Sequence, residues 1–297
     1  MGRVIAVVNQ KGGVGKTTTT VNLAAALAIA ERPTLLIDAD PQANSTRAVG
    51  IDDDPQRASL YDALLEGIDL DQLKLAAPDL PHLSVIPSDR NLVGAEVELV
   101  NVDRREFRLR GLLETTRQLY DFTLIDCPPS LGLLTLNGLT AADAVLIPVQ
   151  TEYLALEGIS QLMDTIQRVR EGLNPDLEIG GVVMTMYDDR TNLAKQVVEE
   201  VRSVFGDRVY TTVIPRNIRL GEAPSHGKPI FLYDIRSKGA EAYFGLTKEF
   251  LEHEAKSTGQ GTAKSDPSDT AAGHGEETSA AAERPDGSGP GPDLPQS

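Results

Sequence analysis

Along this chain, short and almost wholly apolar runs alternate with longer stretches in which apolar residues return every three or four positions. Runs such as Val4-Ile5-Ala6-Val7-Val8 and Leu35-Leu36-Ile37 show no polar alternation, which is how a strand reads when helices cover both of its faces. The pattern predicts strands near 3–8, 34–38, 83–87, 121–126, 143–149, 178–185 and 210–214. It predicts helices near 16–30, 57–66, 104–119, 153–171, 192–205 and 238–254. Strands that alternate with helices require right-handed crossovers, so the expected class is α/β: a doubly wound, mostly parallel sheet with helices on both faces. In such sheets ligands gather at the carboxyl ends of the strands.

The periodicity stops near Lys256. Residues 1–255 are expected to form one domain, and residues 256–297 a disordered acidic tail rich in Gly, Pro, Ser and Ala. From Ser257 onward there is one Leu, no aromatic residue, and Lys264 and Arg284 against seven Asp and Glu residues. Such a composition buries too little apolar surface to offset its ordering entropy. No apolar run approaches the roughly 18 residues of a membrane span. No basic-then-apolar leader precedes the first strand, so a cytoplasmic protein is expected. Cys127 is the single cysteine, which rules out an intrachain disulfide and reads as a packed thiol.

The chemistry begins where the first strand meets the first helix, in N-Q-K-G-G-V-G-K-T-T-T-T from Asn9 to Thr20. Gly12, Gly13 and Gly15 let the backbone turn tightly and bring N–H groups against phosphate oxygens, with the helix dipole behind them. Lys16 is placed to reach the β and γ phosphates of a nucleotide, and Thr17 to ligate magnesium. The common pattern G-x-x-x-x-G-K-[ST] is not met, because Gln10 stands where its first glycine would be. A second lysine, Lys11, opens the loop instead. A lysine before a glycine turn is ordinarily a solvated surface group, but the G-K-T-T continuation makes Lys11 a phosphate-binding candidate.

K-G-G-V-G-K-T-T resembles the deviant Walker A loop of the ParA/Soj chromosome- and plasmid-partitioning ATPases, a P-loop NTPase branch that also holds MinD, the nitrogenase iron protein and ArsA. The resemblance implies ATP and Mg2+ as cofactors, held along Lys11, Gly12, Gly13, Val14, Gly15, Lys16, Thr17 and Thr18. It implies that Lys11 reaches the partner subunit's nucleotide in an ATP-bound homodimer. The strand Thr34–Asp38 runs into D-A-D-P-Q-A-N-S, where the resemblance makes Asp40 the residue that activates the attacking water. The residues alone also allow a plain turn fixed by Pro41. In Tyr120–Ser130, Asp126 ends an apolar strand as a Walker B aspartate does when it holds magnesium through water.

A net charge of −16 argues against nucleic acid, but the field is local. Between Pro215 and Lys238 stand Arg216, Arg219, Lys228, Arg236 and Lys238 against Glu222 and Asp234, a cluster that on charge alone is equally a solvated surface. I-P-R-N-I-R-L-G-E-A-P-S-H-G-K-P-I (214–230) and T-M-Y-D-D-R-T-N (185–192) are similar to ParA/Soj stretches, with Gly221 in place of the usual serine. The resemblance implies that Arg190 and Arg219, with Arg216 and Lys228 nearby, form a DNA-binding surface on the dimer, and that Pro215 and Asn217 contact adenine. It further implies non-specific double-stranded DNA and a ParB/Spo0J-type protein as partners, nucleoid association, no membrane, and chromosome or plasmid segregation. An ATP-switched regulator of replication or transcription and a MinD-like division-site ATPase stand as alternatives; the latter needs a basic amphipathic C-terminal helix.

Overall fold

The computed structural model describes residues 2–152 and 155–260. Seven strands form one sheet: β1 (Arg3–Val7), β2 (Thr34–Asp38), β3 (Leu75–Ala76), β4 (Leu83–Ile86), β5 (Phe122–Asp126), β6 (Ala144–Gln150) and β7 (Glu178–Thr185). Their order across the sheet is β3-β4-β2-β5-β1-β6-β7. Every pairing is parallel except that of the two-residue edge strand β3 with β4. The doubly wound α/β class expected from the sequence is the class observed.

The helices are α1 (Lys16–Ile29), α2 (Asn44–Ala48), α3 (Leu60–Glu66), α4 (Leu70–Leu73), α5 (Leu92–Glu98) and α6 (Arg108–Thr116). They continue with α7 (Leu133–Ala141), α8 (Ala155–Gly172), α9 (Asn192–Phe205), α10 (Ile218–Glu222), α11 (Ile230–Tyr233) and α12 (Lys238–Gln260). The core forms two layers. On one face Ile37, Ile125 and Ile147 meet α3, α5, α7 and α8; on the other Val7, Leu36 and Leu124 meet α1, α11 and α12. Alanines suit α1 to its place between the sheet and α12, since Ala24 and Ala25 are fully buried beside Leu23 and Leu27 and let the layers approach closely.

Three expectations change. Residues 210–214 are not a strand: the Tyr210 and Ile214 amides donate to β7 carbonyls, but those of Thr211 and Thr212 donate to the Glu249 carboxylate, which interrupts the ladder. The helix expected over 104–119 shortens to α6, flanked by tight turns at 105–107 and 117–119 and preceded by Arg104 in the left-handed region. The boundary expected near 255 falls inside α12, which runs on to Gln260. Residues 261–297, which hold most of the expected tail, and residues 153–154 at the start of an expected helix lie outside the described residues. Short helices such as α5 and α7 went unread because G-x-x-x-E or L-N-G-L-T carries little helical propensity; burial of Leu92, Ala95, Leu134 and Leu139 holds them.

Candidate nucleotide-binding site

The site lies at the carboxyl ends of β1, β2, β5 and β6. Asn9 anchors its entrance by donating through Nδ2 to the Pro148 carbonyl (2.7 Å) and accepting from the Lys11 amide (3.0 Å). Gly13 (φ 75°) and Gly15 (φ 88°) take the left-handed conformation that a side chain would resist, and Gly15 leads directly into α1. The free amides of the first turn of α1 therefore face the loop, as an anion site requires.

Lys16, at the head of α1, is only 6% exposed, and its ammonium donates to the Lys11 carbonyl (3.1 Å). Burial lowers its pKa from the ordinary lysine value, while Asp126 and Asp40 pull the other way. Parallel register sets Asp38 beside Asp126 at the ends of β2 and β5. Asp126 accepts from the hydroxyls of Thr17 (2.8 Å), Thr20 (3.1 Å) and Ser45 (2.6 Å). Asp38 accepts from the Thr46 amide (2.8 Å) and hydroxyl (2.7 Å). Both carboxyls are raised above the ordinary range: burial is the main cause for each, with repulsion from Asp126 adding for Asp38 and from Asp40 for Asp126.

These residues fit a magnesium nucleotide. Thr17, Ser45 and Asp126 present hard oxygen donors at one point, and a cation there would relieve the buried carboxylate. Among the described residues no group of three or more His, Cys, Asp and Glu forms a protein-only cage. A Mg2+ site with so few protein oxygens relies on substrate phosphate and water for its other ligands.

Asp40 is 7% exposed and held in a turn: its Oδ1 accepts from the Gln42 amide (2.9 Å) and its carbonyl from the Ser88 hydroxyl (2.8 Å). Ala43, which closes this turn, sits at φ 50°, and Met186, just past the end of β7, sits at φ 51°. Non-glycine residues in that region store strain where the surroundings impose it. The Cys127 thiol is buried and burial pushes its pKa up, so it is a packed group rather than a nucleophile.

Lys11 differs from the rest of the loop. Its ammonium turns to the rim and pairs with Glu152 Oε2 at 2.7 Å, both side chains partly exposed, while Gln150 holds the other carboxylate oxygen. Pro215 and Asn217 line a cavity of about 190 Å³ with Gly15, Thr18, Met186 and Tyr243, so the structure brings these two to the loop. Thr185 closes its floor by donating to the Val14 carbonyl (2.7 Å), and Tyr243 meets Thr19 (3.2 Å).

The basic residues are spread wider. Arg190 and Arg216 line one depression with Lys238. Arg190 donates to Asp188 twice through its guanidinium and once through its amide, and those bonds hold the Asp188 carboxyl down at about 2. Arg219 pairs with Glu222 (2.8 Å) and Asp234 (3.5 Å). Lys228 follows left-handed Gly227, which packs against Gly50 and Arg47, and does not line the depression. Sequence reasoning missed Asn9, Ser45, Glu152, Thr185 and Tyr243. Ser45 and Glu152 were reachable, since both follow the carboxyl end of a strand next to the loop strand or its neighbour; Thr185 opens the 185–192 stretch already singled out, whereas Tyr243 comes from α12 and carries no local signal.

A family model described as "AAA domain" matches residues 2–179. The chromosome partitioning protein ParA of Myxococcus xanthus is 56% identical over 254 residues, covering 86% of this chain and 89% of that one. The sporulation initiation inhibitor protein Soj of Bacillus subtilis is 56% identical over 249 residues, covering 84% and 98%. Among solved structures, a cobyrinic acid a,c-diamide synthase from Mycobacterium smegmatis with bound ADP and magnesium is 37% identical, superposes with a TM-score of 0.76, and covers 86% of this chain and 97% of that one.

Proposed function

We infer the function from one premise: the chain belongs to the ParA/Soj family of chromosome-partitioning ATPases. It is an ATPase that uses ATP and Mg2+, and its role is DNA partitioning. We propose that it works as a switch, in which ATP-bound copies pair, grip duplex DNA without reading its sequence, and let go after hydrolysis triggered by a ParB-type protein.

Mg-ATP supplies the anhydride to be cleaved and a metal to offset charge on its phosphate oxygens. The amides behind Gly13 and Gly15 and the Lys16 ammonium would bind phosphate, Thr17 and, through water, Asp126 would hold the metal, and Pro215 and Asn217 would frame the base. Asp40 orients a water and takes up its proton at the carboxylate. Lys11 exchanges Glu152 for phosphate across the dimer interface. The observation that carries this reading is the Lys11–Glu152 pair: the extra lysine sits at the rim on an acid it can leave. Arg190, Arg216, Arg219 and Lys228 are the DNA contacts in this scheme. Two copies in one dimer double the phosphate contacts, which multiplies binding constants. Residues 1–255 would be the working unit, with an acidic extension after it.

Light scattering on Asp40→Ala with Mg-ATP tests the scheme; a dimer that does not turn over is expected, and a monomer would overturn it. ATP turnover of the parent should rise most when DNA and a ParB-type protein are both present. A second reading, an ATP-switched regulator, draws on the name of the Bacillus subtilis relative. Turnover indifferent to the ParB-type protein would favour it.

A further inference from the structure

Ile218 is 79% exposed, the most of any large apolar side chain among the described residues, and Ile235 is 62% exposed. A lone exposed isoleucine is ordinary. These two share a frame. Arg216 and Arg219 bracket Ile218, while Arg236 and Lys238 follow Ile235. The Arg219–Asp234 contact (3.5 Å) ties the two stretches together. Leu220 fixes the direction in which Ile218 points. It is buried against Gly239, where an added Cβ would stand 2.7 Å from its Cγ, so α10 lies on the start of α12 and its opposite side, carrying Ile218, faces outward.

We propose that Ile218 and Ile235 are apolar contacts to duplex DNA, seated in the minor groove between phosphates held by Arg216, Arg219 and Arg236. The inference rests on the DNA-gripping reading above and deepens it. Minor-groove proteins set branched apolar side chains against sugars and base steps while cations hold the flanking phosphates. Isoleucine suits the task because its stiff χ1 leaves little rotamer freedom to lose. Asn217 lines the base cavity and Ile218 is the next residue, so one short helix carries the nucleotide contact and the DNA contact side by side. An anionic membrane also offers charge over apolar matter, but it is entered by a continuous apolar helix face. Here the two side chains stand singly, on a five-residue helix and a loop.

The test uses the full chain with Mg2+ and a slowly hydrolysed ATP analogue, and reads anisotropy of a labelled duplex over a salt series, with dimer fraction from light scattering. Ile218→Ser and Ile235→Ser should each weaken binding about tenfold with the parent's slope of log affinity against log salt. Arg219→Ala should flatten that slope, because it removes a phosphate contact. Parental affinity in both serine variants overturns the proposal, as does a serine variant whose slope falls like that of Arg219→Ala, since the isoleucine would then only prop the arginine. Loss of binding to phosphatidylserine vesicles with unchanged duplex binding overturns it in favour of a membrane. If Ile218→Ser does not dimerise, Ile235→Ser, which lies outside the cavity, decides alone. A parent dimer that holds no duplex refutes the DNA reading itself, a result separate from any variant.

Discussion

The nucleotide cradle and the basic face meet at α10 yet are built on opposite principles. In the cradle, Lys16, Asp38, Asp40 and Asp126 are almost fully buried; sheet register sets Asp38 beside Asp126, and hydroxyls and amides of α1, α2 and the turn between β2 and α2 hold the three carboxylates. On the basic face, Arg190 and Arg219 are exposed and already paired with Asp188, Glu222 and Asp234. Exposed pairs of this kind contribute little and weaken with salt. The cradle is thus preorganised, whereas under the proposed function the face would have to trade local acids for phosphate, a trade that only several simultaneous contacts win. On that reading, this difference is how a protein of charge −16 would carry a DNA surface that stays silent in the single chain.

The largest effect should come from Lys16→Ala, which removes the buried cation and is expected to weaken ATP binding by more than about 100-fold by calorimetry. Weakening no greater than that of a surface lysine would erase the contrast. Arg219→Glu should lower DNA affinity by about tenfold or more in the ATP-bound dimer while ATP affinity stays the same, as filter binding and calorimetry would show. Glu152→Gln frees Lys11 from a partly exposed pair, so dimerisation should set in at an ATP concentration up to about fivefold lower in light scattering; an unchanged midpoint would mean that the pair does not compete with the dimer.

A smaller effect concerns pH. Asp38 and Asp126 have folded pKa values raised above the unfolded ones, so the folded chain binds more protons in the interval between them. Stability of the nucleotide-free protein should therefore fall as pH rises from the ordinary carboxylate range through the raised values, and Mg-ATP should flatten that fall by favouring the charged forms. Calorimetric melting with and without Mg-ATP measures it, and a rise in Tm over the same interval without nucleotide would contradict the burial argument. The smallest effect is expected from removing residues 261–297: turnover and duplex binding should match the full chain.

Much of the cradle was legible because its parts are contiguous. Gly12 to Thr18 are contiguous, and Asp40 and Asp126 each follow a short apolar run that reads as a buried strand and is one. The α/β class was legible for the same reason, since strands covered on both faces leave an uninterrupted apolar signature. The 210–214 segment, Tyr-Thr-Thr-Val-Ile, is β-branched and aromatic and so reads as a strand, yet Glu249, far along the chain, takes the amides of Thr211 and Thr212 and unmakes it. Local pattern alone therefore determined the existence of the phosphate loop, the strand-end aspartates and the layered fold. Tertiary structure alone decided that Lys11 rests on Glu152, that Ser45 joins Thr17 at Asp126, that Thr185 and Tyr243 frame the loop, and that Ile218 faces outward. Those pairings join residues tens to hundreds of positions apart, and only the order of strands in the sheet brings them within bonding distance.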